Sequence, residues 1–169
     1  MVETQVLKVY VLLLKQDDPD KCTAAKLARF GFAKALFRIR QIPRDSLVLN
    51  PMADRLILPN DRNRGSVVAI DCSWEKAQAE LSRRHPGIGR RLPTLLAANP
   101  TSYAKKDKLS SAEALAAASF IVGYRETAEK LLSLFKWGNT FLTLNRELLD
   151  AYSTAGSEEE LSEIESQFF

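Results

Sequence analysis

The 169 residues are 46% hydrophobic and 27% charged, the balance of one globular domain, or one with a small appendage, that can bury a sizeable core. The net charge of +3 is uneven: residues 157–169 hold five glutamates and no basic residue, leaving +8 on the rest, which suits a polyanion such as nucleic acid or serves solubility alone. Cys22 and Cys72 are too few for a disulfide framework or a zinc site, no apolar run spans a membrane, and Met1-Val-Glu-Thr lacks a basic-then-apolar signal layout, so a cytoplasmic chain with no membrane partner is expected.

Thr4 to Leu14 is a β-rich apolar run and predicts a buried strand. A turn-rich polar loop follows, and Thr23 caps or opens a short helix from Ala24 to Phe30, closed by Gly31. Leu36 to Ile42 alternates apolar and basic residues, a strand pattern ended by Pro43. Ser46 to Asn50 reads as a second short strand halted by Pro51, Arg55 to Pro59 as an extended piece, and Asp61 to Gly65 as a basic turn. Ser66 to Ile70 is the clearest strand of the middle region and runs straight into Asp71-Cys-Ser-Trp74. Glu75 to Arg84 has helical spacing. The loop from Arg83 to Arg91 carries two glycines, four arginines and His85. His85 has no carboxylate or second metal ligand near it in sequence, whereas the arginines suit phosphate contacts.

Leu92 to Ala98 is an apolar run long enough for one buried strand, stopped by Asn99-Pro100. A loop with Lys105, Lys106 and Lys108 leads to Ser110-Ser-Ala-Glu113, a capping box, and to a helix rich in alanine that lets backbone or a flat ligand approach. Two readings of this stretch stand: the edge at which open α/β sheets bind ligands, or an ordinary strand–loop–helix connection. The remaining third predicts helices over Ser110–Val122, Tyr124–Phe135 and Gly138–Tyr152, then an acidic helix from Ser157. Asn145 falls on the inward face of the third, where an amide needs partners and would tie down a neighbouring loop.

No nucleophile–base pair, metal cluster, P-loop or dinucleotide fingerprint is present. What remains is Asp71 at a strand end, with Trp74 three residues on. Asp71 either faces a ligand crevice or caps a helix; Trp74 either offers its face to a base or a sulfonium, or fills the core.

Taken together, Asp71-Cys-Ser-Trp74, Leu92-Pro-x-Leu95-x-Ala97-Ala-Asn-Pro100, Tyr103, Leu109-Ser-x-x-Glu113-Ala114 and Phe135-Lys-Trp-Gly138-x-x-Phe141-Leu142-x-x-Asn145 resemble the ribosome-biogenesis aminocarboxypropyltransferases that modify small-subunit rRNA. Asp18-Pro-x-Lys21-Cys-Thr23 is similar to that family's opening unit, and the match spans roughly residues 5–152. The resemblance implies an α/β protein: a small N-terminal α+β subdomain, residues 1–45, then a SPOUT-like domain, 46–169, with a deep trefoil knot and a helical C-terminal part. It implies S-adenosylmethionine (SAM) as donor and transfer of its 3-amino-3-carboxypropyl group to N3 of a uridine or pseudouridine in a small-subunit rRNA hairpin loop. In eukaryotic relatives that base is an N1-methylpseudouridine.

Carried over by position, the family's SAM contacts fall on Thr23, Ile70, Leu92, Asp107, Leu109, Ser111 and Ala114, with Leu49, Pro51 and Trp74 around the adenine or methyl group. Three positions depart from the family pattern: Ala24 and Ala104 stand where it has glycine, and Asp107 where it has an aromatic residue, so a backbone contact is what position 107 can supply. Hiding the SAM methyl against Trp74 and exposing the γ-carbon selects the transferred group by positioning alone. Asp71 is the candidate base for the N3 proton. The Arg83–Arg91 cluster, Lys26, Arg29, Arg38 and Arg40 form the expected surface for rRNA or a pre-ribosomal particle, and a monomer is expected. The alternatives are a SAM-dependent RNA methyltransferase of the same fold and a non-catalytic rRNA-binding assembly factor.

Overall fold

The structure, a computed structural model, describes residues 6–14, 22–71, 79 and 84–169. Five strands form one wholly parallel sheet: β1 Lys8–Leu13, β2 Lys34–Leu36, β3 Leu47–Leu49, β4 Ser66–Asp71 and β5 Ile88–Arg90, in the order β2-β1-β4-β3-β5. β1 and β4 run side by side from Lys8 opposite Ser66 to Leu13 opposite Asp71. β1 and β2, from the segment 1–45, lie in the same sheet as the strands of 46–169.

A parallel sheet is covered on both faces, so its strands read as unbroken apolar runs rather than alternating ones. Alternate residues still go to opposite sides. Val9, Val11, Leu47, Leu49, Val67 and Ala69 join the main core, while Leu12, Val48 and Val68 pack with Leu36 and Ile42 on the other face. Among the described residues the α-helices with both ends defined are α1 Thr23–Arg29, α2 Ser111–Ile121, α3 Arg125–Leu132, α4 Gly138–Leu144, α5 Arg146–Tyr152 and α6 Glu158–Phe168. α2 packs on β4 and is enclosed by α1, α3 and α5. Its alanines permit that: Ala112, Ala116, Ala117 and Ala118 are buried together with Leu115, Phe120 and Ile121, so the helix is apolar nearly all round. Gly123, at φ 94°, ends it in the left-handed conformation that glycine adopts without strain.

Four expected elements differ. Leu36–Ile42 is not a strand beyond Leu36; a 3-10 turn, Ile39–Gln41, follows because the Gln41 side-chain oxygen accepts the Phe37 and Arg38 N–H groups. The basic turn after Leu58 is a 3-10 helix, Pro59–Arg64, whose Asp61 carboxylate accepts the Leu58 N–H at 2.9 Å. Gly138–Tyr152 is two helices broken at Asn145. Leu92–Ala98 belongs to no strand of the sheet, for a reason given below. The helix expected at Glu75–Arg84 lies outside the described residues apart from Ala79, which is helical, and Arg84.

Candidate active site

The chain leaves β1 for β2 on one side of the sheet and leaves β4 for β5 on the other. The carboxyl ends of β1 and β4 are therefore the topological switch point, the position at which open α/β sheets hold ligands. Asp71 is the last residue of β4, opposite Leu13.

Two helix starts converge on it. The Cys22 thiol donates to Asp71 Oδ2 at 2.8 Å, and the Ser111 hydroxyl reaches Oδ1 at 3.5 Å. Cys22 is also the cap of α1, accepting the Ala25 N–H, so Thr23 is the first helical residue and not the cap. Thr23 instead accepts the Ala112 N–H through Oγ1 at 3.1 Å, satisfying one of the free donors at the start of α2. Burial, reinforced by the hydrogen bond to Asp71, pushes the Cys22 thiol up to about 12, so it is protonated and unreactive at neutral pH.

The second half of the site is the passage from Leu92 to Ser110. From Leu92 to Ala98 the backbone is extended and pairs mainly with side chains, Ala97 excepted, which bonds the backbone of Ala104 and Lys105; from Asn99 to Ala104 the chain turns. Thr94 N–H goes to Glu165, Leu96 N–H and C=O to the Asn145 amide, and Ala98 N–H to Glu113, at 2.7–2.8 Å. The Tyr152 hydroxyl donates to the Thr94 carbonyl at 2.8 Å; burial, then Glu165 and Asp107, hold that phenol protonated well above its ordinary range. Asn145 thus ties down a neighbouring segment, as its place in the sequence predicts. Its amide also bonds the Phe141 carbonyl, the last full turn before the helix breaks.

Glu113 is fully buried and is the hub of the capping box. One oxygen accepts from Asn99 Nδ2, Ser110 N–H and the Ser110 hydroxyl, the other from Ala98 N–H. Two non-glycine residues of the loop, Ala104 and Asp107, are left-handed, with φ 63° and 56°. Asp107 turns its carboxylate back onto the extended segment before the loop: Oδ1 takes the Leu95 N–H at 3.4 Å.

The expected contact residues fall into two groups. Thr23, Leu49, Asp71, Leu92, Leu109, Ser111 and Ala114 lie on the main-core side of the sheet, toward α1 and α2. Ile70 packs on the opposite face, and Pro51 is exposed just beyond β3. Trp74 lies outside the described residues. Of the expected RNA-contacting arginines, Arg90 is held by Asp61 at 3.3 Å and Arg91 by the Ala53 carbonyl at 3.3 Å, so both are bound into the fold. Arg29, Arg38, Arg40 and Arg84 are exposed, Lys26 is half-buried with its ammonium 5.2 Å from the Phe135 ring centroid, and Arg83 lies outside the described residues.

Sequence reasoning missed the Cys22–Asp71 contact; a cysteine directly before a helix-opening threonine was its only signal. Among the described residues no cluster could hold a metal ion. A cavity of about 300 Å³, lined by Lys8, Gly65 and Ser66, lies at the opposite end of β4. The length of β4 puts it about 16 Å from Asp71.

The family described as "Ribosome biogenesis protein, C-terminal" matches residues 47–169. A 16S rRNA aminocarboxypropyltransferase of Methanosarcina mazei is 42% identical over 168 residues, covering 96% of this chain and 95% of that protein. The chain belongs to this aminocarboxypropyltransferase family. The relative of the same name from Methanothermobacter thermautotrophicus is 44% identical over 170 residues, covering 96% and 98%. The solved structure of the SAM-dependent rRNA:acp-transferase from Vulcanisaeta distributa superposes with a TM-score of 0.84 at 37% identity, covering 96% of this chain and 97% of that one. Residues 7–40 also match a family described as "Possible Fer4-like domain in RNase L inhibitor, RLI". An iron–sulfur cluster needs several cysteine ligands, and this span holds Cys22 alone, so the residues do not fit one.

Proposed function

We propose that this aminocarboxypropyltransferase family member moves the 3-amino-3-carboxypropyl group of SAM onto N3 of a uridine or pseudouridine in small-subunit rRNA. The observation that carries the reading is Asp71, fixed at the switch point of a parallel sheet by donors from the starts of α1 and α2. The identity to relatives named for this reaction, over nearly the whole chain, supports it.

The residues suit SAM. Thr23, having accepted one bond, keeps its hydroxyl proton to donate. Leu49, Leu92, Leu109 and Ala114 give the same side of the sheet an apolar lining, and Pro51, Ile70, Trp74 and Asp107 complete the proposed contacts. In the transfer the N3–Cγ bond forms, the Cγ–S bond breaks and methylthioadenosine leaves. Asp71 takes the N3 proton, which makes the ring nitrogen nucleophilic. Cys22 and Ser111 hold the carboxylate in place, and the fixed site determines which carbon meets N3.

The same reading gives residues 46–169 a SPOUT-like trefoil knot and a helical C-terminal part, to which Leu92–Ala98 is tied by Asn145, Tyr152 and Glu165. It places the protein in the cytoplasm as a monomer, with Arg29, Arg38, Arg40 and Arg84 toward RNA. Mass analysis of the nucleoside produced from a small-subunit rRNA hairpin tests the reaction: an added methyl, or no change, overturns it. For Asp71→Asn the expected result is SAM affinity within a few-fold and transfer slowed at least about 100-fold. A full rate with bound SAM removes the base role.

A further inference from the structure

The loop between Asn99 and Lys108 is tightly held, yet presents an aromatic ring to solvent. Ala104 N–H bonds the Ala97 carbonyl at 2.7 Å and Ala97 N–H the Lys105 carbonyl at 3.0 Å. Lys105 N–H closes onto the Ser102 carbonyl, and Ser102 N–H onto the Asn99 side chain at 3.0 Å. Asn99 is in turn anchored to buried Glu113 at 2.6 Å. At the tip Tyr103 is 59% exposed. Lys105, Lys106 and Lys108, all exposed, surround it in sequence. The loop feeds directly into the start of α2, where Ser111 reaches Asp71.

We infer that Tyr103 is a stacking platform for an unpaired rRNA nucleotide flanking the base that reacts. Three features select that occupant. A ring carried on a held backbone loses less freedom on binding than one on a mobile loop. Every base offers a π-face to stack on. Lysines beside it meet the phosphates that any unpaired strand carries. The two left-handed residues, Ala104 and Asp107, hold the turn that aims the ring outward. Target bases in single-stranded RNA loops are recognised in this way, splayed out and stacked on aromatic side chains.

The inference rests on rRNA being the substrate, and the test separates the two. The full chain is titrated with the small-subunit rRNA hairpin at fixed salt, read by fluorescence anisotropy, while SAM affinity and melting temperature are measured on the same samples. Tyr103→Ala should weaken RNA binding about 5- to 150-fold, leaving SAM affinity and melting temperature unchanged. Tyr103→Phe, which keeps the ring, should bind within about twofold of the parent. Lys105→Ala should instead lower the slope of affinity against salt by about one. RNA bound and modified equally well by Tyr103→Ala overturns the stacking role alone, as does equal loss in Tyr103→Phe. A parent protein that binds no rRNA overturns the functional reading as well.

Discussion

Glu113→Gln changes one oxygen to an amide and nothing in shape, which makes it the cleanest probe of the buried hub. The carboxylate faces four donors: Asn99 Nδ2 at 2.6 Å, Ala98 N–H at 2.7 Å, and the Ser110 N–H and hydroxyl, both at 3.0 Å. A glutamine has one acceptor oxygen. Its better orientation leaves that oxygen to Asn99 and Ser110 and points its NH2 at the Ala98 N–H, donor against donor. One charge-assisted bond is lost and one buried N–H is left without an acceptor, a cost of about 3 kcal/mol. For a chain of this length that lowers the melting temperature by about 6–12 °C. Urea unfolding should show a lower midpoint at unchanged slope, and the Ala98 amide should exchange faster than its neighbours. A stability within about 0.5 kcal/mol of the parent, the range of an ordinary surface change, would refute the hub argument.

Cys22 gives a prediction with a pH axis. Its thiol is raised from 9.0 to about 12 in the fold, so this group's contribution to stability is complete below pH 9 and declines as pH rises from 9 toward 12. In a Cys72→Ser background, iodoacetamide should label folded Cys22 slowly at neutral pH, with a midpoint near 12, and Asp71→Asn should speed it; a midpoint near 9 in the folded protein would show the thiol is not held. Gly138→Ala should cost at least about 1–3 kcal/mol in denaturant unfolding, because the added carbon runs into the Leu132 carbonyl oxygen, and backbone there cannot swing aside. Gly31→Ala is the control: its added carbon meets nothing within 4 Å, and only its φ of 78° resists, about 1–2 kcal/mol.

The features legible in the sequence are those whose partners lie within a few residues. Ser110 and Glu113 are three apart, and the capping box they predict is present. Gly31 takes positive φ at the helix end it is expected to close, and Gly123 does the same just after the helix predicted to stop at Val122. Asp71 was legible as a strand-end carboxylate because the apolar run before it is long and ends abruptly. The strand order was not legible, since nothing local in Lys8–Leu13 says that Ser66–Asp71 is its neighbour rather than Leu47–Leu49.

Leu92–Ala98 shows where the local argument stops. Its composition predicts a buried strand; what forms is extended, partly buried backbone outside the sheet. Periodicity carries no information about which acceptor takes each N–H, and here the acceptors include Glu165, Asn145 and Glu113, 71, 49 and 15 residues away, beside Asp107 and the Lys105 carbonyl. A strand in the sheet would have fixed this passage by a regular ladder to one neighbour. Fixing it by single side chains from α2, α5 and α6, and from Asn145 at the break between α4 and α5, makes its position depend on the whole helical third of the protein. The proposed site therefore has one wall set by the sheet and another set by the C-terminal helices, and the residues that set the second wall, Asn145 and Glu165, need touch no substrate to govern its geometry.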